Sequence, residues 1–428
     1  MPLRITGSLD ETDLLFLPWS TPLEQWSDEY VVALPRGISR HVVRFTRIGD
    51  SVFAVKEISA ALADHEYEML TELRDMAFPC VKAVGVVQNR RDKDGEPLDS
   101  MLITRHLPYS LPYRAVFSGK PSKETVDRLI DALVLLLVRL HLVGFAWKDC
   151  SLSNTLFRRD AGDFAAYLVD AETGELWPTL SDGMRWYDID TATSNIAGEL
   201  LDLQAGGKLP DDMDPIDVAS GLPDRYAALW SLLTEPITIG RGERHELDDH
   251  LRRLNDLGFD VDELQVEAKG SKYSVTVKAK VVETGHHSRR LMRLTGLDVG
   301  ENQARRMLND LDAYRAAQRA AGVRAAQDEE ICAHRWVTDV FEPVVNAVPP
   351  ESVGKLEPAE IFHEVSEHRW FLSEKVGYDV GMNAAVTSYI DEVLEPKPIE
   401  QAFLGGKRAV DAAETQEIRL VLPRKDRD

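Results

Sequence analysis

Residues 140–176 read LHLVGFAWKDCSLSNTLFRRDAGDFAAYLVDAETGEL. The approach to this stretch, Val126–Val143, contains LIDALVLLLVRLHLV, apolar on most sides, and so predicts a helix buried at the centre of a lobe. Gly144 ends it, as glycine often does just past a helix C-terminus. Phe145-Ala-Trp147 is a short extended run, and Asp149 follows, with Asn154 five residues later. Thr155–Phe157 and Ala166–Val169 then read as two strands, joined by the turn residues Asp160, Ala161, Gly162 and Asp163. Asp170 stands at the end of the second strand. The pattern is a helix, a loop with Asp-x4-Asn, a hairpin and a final aspartate.

Upstream, Val31–Leu34, His41–Arg47 and Ser51–Ile58 read as three strands, with Ile48-Gly49-Asp50 as the last turn. Lys56 lies in the third, within FAVKEI. A helix is predicted over Asp64–Met76. At 100° per residue, Leu62, Glu66, Met69, Leu70, Leu73 and Met76 share one face, while Glu68 and Glu72 point away. A carboxylate on an apolar stripe is costly to bury unless it meets a cation. Glu66 is therefore the partner expected for Lys56. Phosphoryl transfer needs a cation on the nucleotide phosphates, a carboxylate to orient that cation, a carboxylate at the acceptor hydroxyl and two metal ligands. Lys56, Glu66, Asp149, Asn154 and Asp170 supply a candidate for each part, in that order.

These residues carry a resemblance. FAVKEI around Lys56, HEYEMLTEL around Glu66, FPCVKAVG at 78–85, WKDCSLSN around Asp149 and Asn154, and VDAETG around Asp170 are similar to the protein-kinase-like superfamily. Within it they resemble the lipopolysaccharide-core (Kdo/heptose) kinase branch and, more loosely, the RIO-type kinases. The likeness covers roughly residues 28–232. Through FEPVVNAVPP and GKLEPAEIFHEVSEHRWFLSE, to about residue 400, the chain also looks like bacterial proteins that join such a domain to a C-terminal domain of unknown function.

The resemblance implies an α+β fold, a two-lobed kinase-like domain followed by an α-rich C-terminal domain. It implies ATP and Mg²⁺ as cofactors. Lys56 would contact the nucleotide phosphates, held by Glu66. Asp149 would accept or orient the acceptor hydroxyl, and Asn154 and Asp170 would bind Mg²⁺. The run Leu102–Leu107, with Thr104 and His106, would be the strand and hinge against which adenine stacks. The loop Leu34–Arg40, with Arg36 and Gly37, would cover the phosphates, helped by Ser39 or Arg40. The sequence departs from the family pattern in three places. That loop carries one glycine, the metal motif is Asp170-Ala171-Glu172, and Lys148 precedes Asp149, where it either serves the transferring phosphate or faces solvent.

The implied activity is transfer of the γ-phosphate to a hydroxyl on a small molecule, sugar or glycolipid headgroup. The competing reading is a pseudokinase that binds nucleotide and acts as a binding or regulatory module. Transfer of the nucleotidyl group uses the same metal ligands and stays open as a third reading.

Composition bounds the rest. The chain has 428 residues, enough for two or three domains, and is 44% hydrophobic. Its formal net charge of −22 disfavours nucleic acid or anionic membrane as a general partner. Three cysteines, Cys80, Cys150 and Cys332, suggest a reducing compartment, and Cys150 is read as a packing residue. No apolar run of membrane-spanning length and no signal peptide is evident, so the cytoplasm is expected.

The division read from the sequence is a lead-in at 1–27, a small lobe at 28–107, a helical lobe at 108–232, a C-terminal domain at 233–402 and a mobile tail at 403–428. Residues 88–98 are read as a charged, exposed hairpin loop. A helix is predicted from near Thr193, with Asp188, Asp190 and Glu199 read as capping or solvated residues ahead of the alternative that they touch the metal site. In the C-terminal part, helices are expected at 244–259, on either side of Gly296–Gly300, and at 358–376, and a strand at 273–283. His363 and His368 are five apart, so the two-histidine zinc face of HExxH is not formed. Glu364 and His368 read as a local ion pair. The C-terminal domain is the expected platform for a protein partner or self-association.

Overall fold

The computed structural model describes residues 2–7, 12–32, 34, 40–49, 51–210, 212–235, 263–269, 272–278, 285–397 and 399–400, with isolated positions between 245 and 257. Arg36, Gly37 and Ser39, most of the helix expected at 244–259, and the tail beyond 400 lie outside the described residues. The described chain falls into two units. The first comprises Met1–Phe157 and Ala166–Arg225, and the second comprises Arg158–Ala165 and Tyr226–Gln401. The architecture is α+β, with a kinase-like first part and a largely helical second part.

The small lobe is a five-stranded sheet of β1 (Arg4–Gly7), β2 (Val42–Ile48), β3 (Ser51–Ile58), β4 (Lys82–Gln88) and β5 (Ser100–Arg105), in the order β1-β4-β5-β3-β2. Phe53 and Val55 of β3 are fully buried in the core on one face. Alternation turns Lys56 to the other face, where it sits between Val43 and Leu102 in register. Helix α1 (Ala60–Asp75) follows β3 directly, and Ala63, Glu66, Leu70 and Leu73 are its buried residues, with Met69. The face deduced from spacing is therefore the face that packs. Among the described residues of the strand expected at Val31–Leu34, Val32 forms an isolated bridge to Phe45.

The lead-in forms part of this lobe. Trp19, Leu23 and Trp26 join Phe53, Val55, Val87 and Ile103 in one apolar cluster, and the two tryptophan rings meet edge-to-face at 5.6 Å. Arg90 corrects the reading of residues 88–98 as exposed. It is 1% exposed, and its guanidinium donates to the carbonyls of Trp19 (2.9 Å), Thr21 (2.6 Å) and Asp99 (2.6 Å) and to Glu57 (2.5 Å). The surrounding loop is charged, but this one cation is needed to bind the backbone of the lead-in.

The larger lobe is built on β6 (Leu111–Pro112), α2 (Tyr113–Ser118) and α3 (Lys123–Leu142). Ser122 caps α3 by accepting from the Thr125 amide at 3.2 Å, and the helix is buried along most of its length, as its apolar run requires. β7 (Phe145–Ala146) pairs with β10 (Glu175–Leu176). Between them lie β8 (Thr155–Asp160) and β9 (Asp163–Leu168), in a three-stranded sheet ordered β6-β8-β9. Helix α4 spans Asp182–Ala205, so it begins well before Thr193, with Ser181 as its cap. Gly183 and the Thr-rich run Asp190–Ser194 masked its early start. α5 (Pro215–Ser220) and α6 (Leu222–Thr234) follow.

The second unit contains a hairpin of β11 (Glu263–Lys269) and β12 (Lys272–Lys278), then α7 (His286–Thr295), α8 (Glu301–Ala320), α9 (Glu329–Trp336), α10 (Glu342–Asn346), α11 (Pro358–Val376) and α12 (Met382–Tyr389). The break at Gly296–Gly300 and the helix 358–376 lie where the sequence put them. The strand expected at 273–283 appears as β12, described only to Lys278. Trp336, Phe341 and Phe362 form the aromatic centre of this core. The expected Glu364–His368 pair is not formed. Glu364 instead accepts from Lys397 (2.6 Å) and Tyr389 (2.8 Å), and His368 meets Ser388 at 2.9 Å.

Candidate active site

Lys56 is the hub of the site. Its Nζ donates to Glu66 Oε2 at 3.0 Å, to Asp170 Oδ2 at 2.7 Å and to Glu172 Oε2 at 2.9 Å, with only 11% of the side chain exposed. Glu66 reaches it from α1 as the spacing argument required. Asp170 reaches it because the end of β9 is tied down. Leu168 exchanges backbone bonds with Pro79 and Val81, and Trp147 Nε1 donates to the Asp170 carbonyl at 2.8 Å.

Three carboxylates thus face one ammonium. Burial opposes the charge on Lys56, but Glu66 and Asp170 outweigh it and raise its pKa above the ordinary lysine value. Glu66 is pushed up to about 8, by burial first and then by the neighbouring Asp170, against the pull of Lys56. Burial also acts to raise Glu172, yet its bond to Lys56 and the charges of Lys56, His41 and Arg40 hold it below the usual carboxylate range. One oxygen from each of Glu66, Asp170 and Glu172 lies within 4.8 Å of the others. That is a hard-oxygen donor set of the kind Mg²⁺ takes, and the excess negative charge is what a divalent cation offsets.

Asp149 sits in the loop after β7, held from both sides. Asn154 Nδ2 donates to its carbonyl (2.9 Å) and to Oδ2 (3.2 Å), and Asn195 Nδ2 donates to Oδ1 (3.2 Å). Because Asn154 donates from its nitrogen, the atom it can offer a cation is Oδ1. Its backbone carbonyl accepts from Val169 at 3.1 Å, which ties it to the strand that leads to Asp170. Arg40 lies 2.8 Å from Glu172 and 3.6 Å from Asp149. Of the remaining nucleotide candidates, Thr104 pairs in register with Ala54 and Ala83. His106 donates its backbone N–H to Val52 at 2.8 Å and sets its ring edge-to-face on Phe45.

The loop carrying Asp149 is held by α4. Asp188 accepts from the backbone amides of Trp147 (2.7 Å) and Lys148 and pairs with His141 at 3.1 Å. Glu199 accepts from the amides of Leu152 (2.8 Å) and Ser153 (2.9 Å). Asp188 is fully buried and Glu199 partly so, and both carboxylates are engaged with the backbone of this loop. Asp188, Asn195 and Glu199 are seven and four residues apart, one face of a helix, so the signal was present in the sequence. Placing the helix start at Thr193 hid it. Lys148 takes φ +64 and pairs with Glu175 at 2.7 Å. Cys150 is fully buried, and burial pushes its thiol well up, so it packs rather than reacts. Glu172, read from sequence only as a departure from the family motif, and Asn195, not singled out there at all, are the site residues missed.

Residues 41–190 match the lipopolysaccharide kinase (Kdo/WaaP) family. They form a kinase-like domain. Residues 228–394 match a domain of unknown function, DUF4032. Among solved structures, one described as WaaP in complex with acyl carrier protein aligns over 59% of this chain and 99% of its own, at 17% identity and a TM-score of 0.37. No curated protein matches the chain. Among the described residues no helix is long and apolar enough to cross a membrane.

Proposed function

We propose that the chain is a Mg·ATP-dependent phosphotransferase that moves the γ-phosphate to a hydroxyl on a small molecule, sugar or glycolipid headgroup. The observation that carries this reading is the convergence on Lys56 of Glu66 and Asp170, from opposite lobes, beside an Asp149 oriented by two amides. Lys56 would hold the nucleotide phosphates. Asp170 and the Oδ1 of Asn154 would hold Mg²⁺, whose charge would stabilise the transferring phosphoryl group. Asp149 would take the proton from the acceptor hydroxyl. That oxygen would then bond to the γ-phosphorus as the bond to the β-phosphate oxygen breaks. Thr104 and His106 would lie at the adenine, with Arg36 and Gly37 over the phosphates. The cytoplasm supplies ATP and suits three buried free cysteines. The C-terminal domain is the proposed surface for a protein partner or a second copy.

A second reading has a specific observation behind it. Glu172 lies on Lys56, Arg40 and His41 together, where the phosphates would need the cations. A nucleotide-binding pseudokinase would keep that arrangement. Incubation with γ-labelled and α-labelled ATP, with and without cell extract, separates the readings. Transfer of the γ label, abolished in Asp149→Asn while nucleotide binding persists, supports the phosphotransferase. Transfer of the α label identifies nucleotidyl transfer. Mg-dependent binding with no label moved identifies the module.

A further inference from the structure

The strand pair β8–β9 has its two ends in different surroundings. At its base, Asn154 immediately precedes β8 and Asp170 follows β9 closely, tied by the Val169 N–H to Asn154 carbonyl bond. Its tip, Arg158–Ala165, belongs to the second unit. A charged hairpin tip such as Arg158-Arg-Asp-Ala-Gly162, closed by the two-residue turn Ala161-Gly162, is ordinarily solvated. Here it is built into a polar socket. Asp160 accepts from the Asn302 amide (3.0 Å) and the Gln303 amide (2.8 Å), so a residue remote in sequence caps α8. The Ala161 amide donates to Glu360 Oε2 at 2.9 Å, and Gln303 Nε2 bridges Glu360 (2.8 Å) and the Arg159 carbonyl (3.2 Å). Arg159 pairs with Glu400 at 2.8 Å, and Arg158 with Glu357. Asp160, Gln303 and Glu360 are all 2% exposed or less. Gly300 completes the fit, because a Cβ there would meet Asp160 Oδ1 at 2.4 Å. Two short paired strands are stiff, and a tip fixed at several points leaves little freedom at the base.

We propose that Asp160, Gln303 and Glu360 are positioning residues, through which the C-terminal domain fixes the hairpin tip and thereby sets the placement of Asn154 and Asp170 at its base. On this account the domain of unknown function is a built-in control element for the metal-binding half of the site. Lys56 and Glu66, on β3 and α1, stand outside the hairpin. The catalytic consequence rests on the phosphotransferase reading, but the coupling itself does not.

The test uses the full chain and the variant Gly300→Ala, which displaces Asp160 without touching the hairpin's own sequence. Amide hydrogen exchange is followed at Val169 and Ala171, at the base, and along β3 as control. The base amides are expected to exchange about fivefold faster or more while β3 is unchanged. In parallel, the Mg²⁺ concentration for half-maximal stabilisation by ATP should rise about fivefold, a coupling of ordinary allosteric size. Faster exchange confined to 158–165 and 300–303, with Val169 and Ala171 at wild-type rates, overturns the proposal, even if the melting temperature falls. If Gly300→Ala does not fold, Glu360→Gln is read in its place, since it keeps the shape and disturbs one acceptor. A wild-type protein that shows no Mg-dependent response to ATP overturns the phosphotransferase reading alone, and the exchange result still decides the coupling.

Discussion

Asp188 has no exposed surface, and its carboxylate serves backbone rather than chemistry. It satisfies the Trp147 and Lys148 amides just where Lys148 takes a left-handed backbone, one residue before Asp149. Asp188→Ala would leave both amides buried without that acceptor. A loss of about 2–4 kcal/mol is expected from two orphaned donors, read as a lower urea midpoint with an unchanged slope. Histidine burial sets a second residue-scale expectation. Burial lowers His106 to about 4, and burial together with Arg306 lowers His363 to about 4. Both are neutral in the folded protein at a pH where the unfolded chain, near 6.5, begins to protonate. The unfolded state therefore binds more protons between pH 6.5 and 4. The stability is fully present above 6.5 and is lost as pH falls through that window. His106→Gln should remove one share of the slope, at most about 3 kcal/mol, in thermal melts taken from pH 7 to 4.

At the scale of elements, Arg90 decides whether the lead-in is part of the small lobe. Arg90→Met would keep the stem's packing but leave Glu57 and three carbonyls without their donor. Breaking one side of so buried a pair should cost about 3–5 kcal/mol. Limited proteolysis should then cut first within residues 12–30, and unchanged resistance there would refute the clamp. Arg90→Met combined with Glu57→Gln should recover part of the loss, because no carboxylate is then left unpaired. The sequence could not disclose this clamp, since its partners are mostly carbonyls, which every residue carries. The elements with strong local signals were legible: α3 from its apolar run, α1 and Glu66 from a 3.6-residue stripe, β3 from alternation, and the break at Gly296–Gly300. Helix α4 was not, because Gly183 and a Thr-rich stretch weaken its early propensity, and tertiary bonds to the Asp149 loop override that weakness. The same logic separates the site residues. Lys56, Glu66, Asp149, Asn154 and Asp170 announce themselves by order and spacing. Glu172 acquires its place only because the chain turns back on Lys56 after Asp170.

For the whole molecule, the question is where the phosphotransfer domain can be cut. The sequence suggests a lobe pair ending near residue 232 that holds nucleotide without the rest. Arg158–Ala165 belongs to the other unit, and a cut at 232 removes the partners of Arg159, Asp160 and Ala161, which are Glu400, the Asn302 and Gln303 amides and Glu360. Asp160 is entirely enclosed, and burial, opposed by the two α8 amides, raises its carboxyl to about 7. Arg159 is equally dependent on Glu400. In a fragment 1–232 these groups lose the amides and the carboxylate that hold the tip, and β9, at the edge of its sheet, is left as an unpinned strand open to pairing with another copy. The fragment is expected to elute as aggregate in gel filtration and to lose a cooperative thermal transition in circular dichroism. A second fragment, with residues 158–165 replaced by a short Asn-Gly turn, removes the part of the hairpin that has no business outside the C-terminal unit. Such a turn suits the twist of two antiparallel strands. This shortened fragment should be monomeric and melt cooperatively where the simple truncation does not. Equal solubility of the two fragments would show that the tip is an accessory of the C-terminal domain rather than a dependency of the first.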